Sequence, residues 1–195
     1  RLKYVGKTKY GLGQPPKQKI DGLPIIRATN VFRGKIDEKD LVFVDPDDIP
    51  YERDPILRTD DIIVVRSGAY TADSAIIPSK YDGAVTGYDM VFRCNENFFP
   101  KFVAFGLLSD YILKRQLIMH SLRAAQPHLN REELGETIIA VPSFEEQKTI
   151  VQKIETECSA IEAKKAKTQK LINLLTEYRT ALISEVVTGK IKVTD

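Results

Sequence analysis

Apolar residues in this chain follow two periods, and the change from one to the other falls near residue 142. Before it they come in short runs, at 23–31, 41–44, 62–66, 74–78, 90–93 and 137–141, which read as strands of a mixed, β-rich body. Turn chemistry separates the runs: Arg33-Gly34, Asp45-Pro46-Asp47-Asp48, Arg53-Asp54-Pro55, Ser67-Gly68 and Tyr81-Asp82-Gly83. One helix breaks the series. Pro100 stands at an N1-like position, and Phe102, Phe105, Leu108, Ile112 and Leu117 recur at helical spacing. Asn130 and Glu133 form a capping box ahead of a short helical turn.

Past 142 the period lengthens. Pro142 ends the run at 138–141 because it has no N–H for a sheet ladder. Ser143 and Glu146 make a second capping box, and no Pro or Gly follows until Gly189, placed as a C′ glycine. The stretch predicts one helix over residues 144–187, about 65 Å long at about 1.5 Å per residue. Its seam alternates steps of 3 and 4 through Val151, Ile154, Cys158, Ile161, Lys165, Thr168, Ile172, Leu175, Arg179, Leu182 and Val186. Ile150, Leu171, Leu174, Tyr178 and Ile183 widen it. A 3.5-residue repeat kept this long indicates a left-handed coiled coil, with Lys165, Thr168 and Arg179 setting register or orientation. A body of about 140 residues cannot cover a 65 Å rod, so a partner helix is implied. The expected fold is α+β: a β-rich body at 1–142, a long coiled-coil helix at 143–188 and a tail at 189–195.

Net charge is +2, but the charges are sorted into blocks. Residues 1–35 hold nine Lys/Arg against Asp21 alone, 37–61 hold ten acids against three bases, and 97–131 turn basic again. Such sorting permits one basic face on a near-neutral protein. The loop Tyr10-Gly11-Leu12-Gly13-Gln14-Pro15-Pro16-Lys17 lets the backbone approach something closely. It is no dinucleotide fingerprint, because Pro15-Pro16 forbids the helix that should follow.

Catalytic patterns are missing. His120 and His128 have no Cys or carboxylate at metal-ligand spacing, and there is no Gly-x-Ser-x-Gly elbow and no Walker lysine loop. Cys94 and Cys158 read as small core hydrophobes. No apolar run reaches the roughly 20 residues of a membrane span, and a cytoplasmic protein without metal or cofactor is expected.

Residues 138–151 (IIAVPSFEEQKTIV) and 174–193 (LLTEYRTALISEVVTGKIKV) resemble the two ends of the conserved helix in specificity (S) subunits of type I restriction-modification enzymes. Residues 22–30 (GLPIIRATN), 60–68 (DDIIVVRSG) and 126–130 (QPHLN) are similar to landmarks of the family's target-recognition domain. The resemblance implies a non-catalytic chain that reads one half of a split duplex-DNA site. Modification and restriction subunits would dock on it to methylate and cut. Family members typically carry two recognition domains and two antiparallel helices. One of each here implies a half-S subunit working as a dimer, or half of a longer subunit. The contrasting expectation is a coiled-coil scaffold whose head binds protein.

Candidate DNA contacts are Tyr10, Gln14, Lys17 and Lys19 in the N-terminal arm and loop. Side chains able to pair with base edges are Arg27, Asn30, Arg66, Ser67, Tyr70, Thr71, Tyr88, Arg123, Gln126, His128 and Asn130, since Arg pairs with guanine and Asn or Gln with adenine. Dimerisation is expected through Val151, Ile154, Cys158, Ile161, Ile172, Leu175, Leu182 and Val186.

Overall fold

Residues 62–65 read Ile-Ile-Val-Val, and a strand apolar on both sides needs cover on both. The computed structural model of the chain, which describes residues 1–121 and 127–192, shows that cover. Its strands are β1 (Gly6–Tyr10), β2 (Gln18–Ile26), β3 (Val31–Phe32), β4 (Lys35–Ile36), β5 (Val42–Val44), β6 (Ile62–Val64), β7 (Ser74–Ile76), β8 (Val85–Thr86) and β9 (Met90–Cys94). They form a four-stranded sheet in the order β1-β9-β6-β7, a three-stranded sheet β5-β2-β8 and the ribbon β3-β4. In the larger sheet all the pairings are antiparallel. Only β2 and β8 run parallel among the described pairs.

Alternation then divides the core. Ile62, Val64, Met90 and Phe92 pack on one face with Leu2, Val103, Leu107, Ile112, Leu117 and Leu134. Ile63, Val65 and Val91 pack on the other with Ile26, Leu57, Ala75 and Ile77. A third cluster, of Leu12, Ile25, Val44, Ile49 and Val85, seals the smaller sheet.

The helices are α1 (Pro100–Leu108), α2 (Asp110–Ile112), α3 (Met119–Ser121), α4 (Arg131–Glu136) and α5 (Phe144–Val187), with a π-helical stretch Leu113–Ile118 between α2 and α3. The apolar spacing predicts one helix running on to Leu117, yet it breaks at Ser109. That residue is extended (φ −66°, ψ 146°), and its Oγ accepts the Ile112 N–H to start a new helix. A serine that bonds nearby backbone competes with the helical ladder.

Two strand expectations also give way. Residues 137–141 form no strand. The Gln116 side chain takes both Ile138 backbone groups, at 2.8 and 2.9 Å, and Thr137 O accepts the Leu2 N–H, so no ladder partner is needed. The run at 23–31 stops at Ile26 and turns through a 3₁₀ segment, Ala28–Asn30. Strand β1 carried no apolar pattern; its pairing with five residues of β9 makes it a strand.

The long helix starts and stops where its sequence says. The Ser143 N–H donates to Glu146 Oε2 at 3.0 Å, and the Glu146 N–H reaches Ser143 Oγ at 3.4 Å. At the far end Gly189 has φ +74°, its N–H donates to Val186 O, and the Lys190 N–H donates to Glu185 O. That pair of bonds is a Schellman motif. The first two turns pack with the body. Gln147 is buried, donating Nε2 to Pro142 O at 3.0 Å and accepting the Phe99 N–H at 2.9 Å. Contacts divide the chain into a unit Arg1–Val151 and a unit Gln152–Asp195. Val151, expected at the helix seam, is 2% exposed inside the first unit and so has no face left for a partner helix.

Because Phe92 is fully buried against α1 and β6, Phe92→Ala should cost about 3–5 kcal/mol, read as a lowered denaturant midpoint. A loss below about 1 kcal/mol would contradict the assigned core.

Candidate nucleic-acid interface

The register of the larger sheet decides which loops meet. Val64 stands opposite Met90 across β6 and β9, so continuing the ladder by two residues sets Arg66 across from Tyr88. On the other side of β9, Tyr10 pairs with Met90. Three ends of strands thereby bring Tyr10, Arg66 and Tyr88 together. The Arg66 guanidinium carbon lies 4.3 Å from the Tyr10 ring centroid and 4.4 Å from that of Tyr88. Arg66 Nη2 is 3.4 Å from His128 Nε2.

Residues 127–131 close over this cluster. Ser67 and His128 form an isolated β-bridge, and the Leu129 N–H donates to Arg66 O at 2.8 Å. Thr71 Oγ1 donates to Gly68 O at 2.7 Å and reaches Pro127 O at 3.3 Å. The Tyr10 hydroxyl accepts the Arg131 N–H at 2.9 Å, and the Arg131 guanidinium lies 5.7 Å from the same ring.

Asp89 holds the cluster from beneath, and no sequence pattern marks it. Its carboxylate accepts the Arg66 N–H at 3.2 Å, while its carbonyl accepts the Gly11 N–H at 2.8 Å. It is 2% exposed, and its Oδ2 has no hydrogen-bond partner. Burial pushes its pKa up to about 6, against the opposing pull of the Arg66 N–H and the Arg66 charge. A pattern of apolar runs hides such a residue, since Asp89 sits between Tyr88 and Met90 like any turn acid.

Gly11 meets its own chain. A Cβ there would lie 2.0 Å from Gly87 O, so only glycine lets the 10–13 loop dock on 87–89. Beside this contact is a cleft of about 230 Å³ whose walls include Pro15, Arg27, Ser67, Tyr88 and Asp89.

The remaining expected contacts divide. Gln14, Lys17 and Tyr70 are exposed on their loops. Lys19 is held by Asp45 at 2.9 Å, which raises its pKa. Arg27 donates Nη2 to Asp40 O at 2.7 Å. Asn30 is fully buried and spends its amide on its own loop: it accepts from the Arg27 N–H and donates to Asp37 O and Lys39 O. Those bonds leave it no edge for a base. Asn130 caps α4, its Oδ1 accepting the Glu133 N–H at 2.8 Å, so its carbonyl is committed too. Arg123 and Gln126 lie outside the described residues.

The charge blocks partly cancel. Arg1 and Lys3 pair with Glu136, Lys9 with Asp54 and Lys80 with Glu38. Four of the nine bases in residues 1–35 are therefore matched by acids, counting Lys19 with the first three. The basic-face expectation narrows accordingly. Among the described residues no group of three or more His, Cys, Asp or Glu stands together to hold a metal. Cys94 is a poor nucleophile, burial and the charges of Asp60 and Asp61 pushing its pKa up to about 12.

The raised pKa of Asp89 sets a testable sign. A folded-state value above the unfolded one means the fold binds the proton more tightly, so stability falls as pH rises between about 4 and about 6. Ionised Asp89 then costs on the order of 2–3 kcal/mol at neutral pH. Asp89→Asn keeps an acceptor for the Arg66 N–H and sheds the charge. Thermal melts should show it stabilising the chain more at about pH 7.5 than at about pH 5; an equal shift at both would contradict this assignment.

Comparison with known proteins places the chain in a family. Residues 13–173 match the Type I restriction modification DNA specificity domain. The chain is 28% identical over 175 residues to the type I restriction enzyme EcoKI specificity subunit of Escherichia coli strain K12, covering 89% of this chain and 37% of that one. It is 28% identical over 171 residues to the StySPI specificity subunit of Salmonella potsdam, covering 87% and 36%. The chain thus spans under two-fifths of the length of these relatives. The fold is also that of the HsdS subunit from Thermoanaerobacter tengcongensis, at TM-score 0.60 and 20% identity over 100% of this chain and 50% of that one. A chain from a structure of complex assembly and conformational transition in the type I R-M system aligns at TM-score 0.65 and 22% identity, over 94% and 48%. With the match covering most of its length, this chain belongs to the type I restriction-modification DNA specificity domain family.

Proposed function

We propose that this chain is the non-catalytic, sequence-reading part of a type I restriction-modification system, its body reading one half-site of duplex DNA. The observation that carries the reading is the joining of Tyr10, Arg66, Ser67, Thr71, Tyr88 and His128 on one set of loops above the larger sheet. These are side chains that can meet phosphates and base edges, on loops positioned by a rigid scaffold. Exposed Gln14 and Lys17 would add backbone contacts from the neighbouring loop. Methylation and cutting would fall to separate modification and restriction subunits. The setting would be the cytoplasm, where that DNA is found. No helix among the described residues is long and apolar enough to cross a membrane.

The second unit supports the assembly part of the reading. Ile161, Ile172, Leu175 and Leu182 stand exposed along α5, and a helix carrying such a stripe gains by covering it. We infer an antiparallel pair, with a second copy or with the equivalent helix of another half. Centred near Thr168, that arrangement sets Arg179 against the Glu157 end of its partner, whereas a parallel pair would set Arg179 against Arg179. Paired this way, two bodies sit at opposite ends and fix the spacing between half-sites.

Two measurements follow. Affinity of the purified chain for duplex DNA should fall linearly with salt on a log–log plot, and the same mixtures given Mg²⁺, ATP and S-adenosylmethionine should hold DNA that is neither cut nor methylated. Salt-independent binding, or turnover, would overturn the reading. Replacing Ile161 and Leu175 together by Asp should convert the dimer seen by light scattering, or the complex with the other half, to monomer. Because both positions are exposed in the second unit, the body's melting should be unchanged; assembly surviving the double change would rule out this seam.

A further inference from the structure

We propose that Arg66 is the guanine-reading residue of this body and that Tyr10 and Tyr88 hold it in reading position. The inference rests on the DNA-reading function proposed above and goes on to name the base.

The argument begins with what the clamp does to the side chain. An arginine that only meets phosphate needs its charge and can keep its freedom. Here the guanidinium carbon lies over two aromatic rings, 4.3 Å from the Tyr10 centroid and 4.4 Å from the Tyr88 centroid, so two cation–π contacts restrict where the group can sit. The inner donor faces the protein: Nε is buried, with no hydrogen-bond partner. Among the described residues no carboxylate or carbonyl takes the outer fork, whose Nη2 only approaches His128 Nε2. Arg93 shows the contrast. Its Nε and Nη2 grip Asp61 at 2.6 and 2.7 Å, which leaves that fork spent on the fold.

A planar fork held in place by its neighbours matches two in-plane acceptors side by side, which in duplex DNA is the O6 and N7 pair of guanine in the major groove. Two features keep the aim. The Arg66 backbone is fixed by Asp89 Oδ1 on its N–H and by the Leu129 N–H on its carbonyl. Tyr10 is placed by its strand pairing with Met90 and by the Arg131 N–H on its hydroxyl, and the Tyr88 backbone lies in the 87–89 segment against which Gly11 docks. Fixing the fork before binding lowers the ordering cost of the contact, which is how a single arginine gains discrimination.

The test is a selection of bound duplexes from a random library by the full chain, repeated with Arg66→Lys and with Tyr88→Leu, each checked for folding by thermal melting. The wild-type selection should yield a preferred half-site containing a guanine for which Arg66→Lys loses preference on the order of ten- to hundredfold, other positions being retained. Tyr88→Leu, which leaves the arginine in place, should relax the same position by a smaller factor. Replacing that guanine by 7-deazaguanine should weaken the wild-type chain and leave Arg66→Lys unmoved, because the modified base lacks the N7 acceptor. Uniform weakening across all positions by Arg66→Lys would make Arg66 a phosphate contact and overturn the inference, while the DNA-reading function stood. A library from which the wild-type chain enriches no sequence would overturn both.

Discussion

The antiparallel register of β1, β9 and β6 is the constraint on which the rest of the body depends. It is held by close packing on both faces: a slip of one residue would exchange Ile62 and Val64 for Ile63 and set each side chain against neighbours shaped for another. The same register that satisfies two cores sets Arg66 across from Tyr88 and sends Tyr10 alongside. The stability of the scaffold and the geometry of the candidate interface are therefore one choice of pairing. Asp89 is where they meet, one residue before β9, tying the 10–13 and 66–71 loops at the cost of a buried carboxylate. Carrying that cost at neutral pH is what a residue kept for position rather than stability would do.

The long helix obeys a different constraint. Its ends are written locally, by Ser143 with Glu146 and by Gly189, and its middle by a repeat that nothing in the second unit covers. Its first two turns belong to the body, through buried Gln147 and Val151. The expected seam therefore begins one step later than the heptad count, at Ile154. A periodic pattern tells which face is apolar; it does not tell which part of that face the chain's own body uses.

Local chemistry explains which other features were legible. Capping boxes at Asn130 and Ser143, the Schellman glycine, and apolar runs at 62–65 and 90–93 depend on neighbours in sequence, and the structure has them in place. Features set by distant partners were not legible. Strand β1 exists because β9 pairs with it, residues 137–141 stay out of a sheet because Gln116 satisfies Ile138, and the helix from Pro100 breaks because Ser109 caps a new one. Among the candidate contacts the same rule holds. Arg66, Tyr88, Tyr10 and His128 converge, while Asn30, equally plausible by residue type, spends its amide on its own loop, and Asn130 spends its side-chain oxygen on the start of α4. Residue type gave candidates; only the fold could tell a free amide from a committed one.

The central claim is that loops gathered by this register, rather than the helix, form the DNA-facing surface. Hydrogen–deuterium exchange of the full chain with and without a selected duplex tests it directly. The account predicts protection concentrated in residues 10–17, 66–71, 87–89 and 127–131, with residues 160–185 unchanged on DNA binding. Protection confined to the helix, with those four loops exchanging as in the free chain, would contradict it.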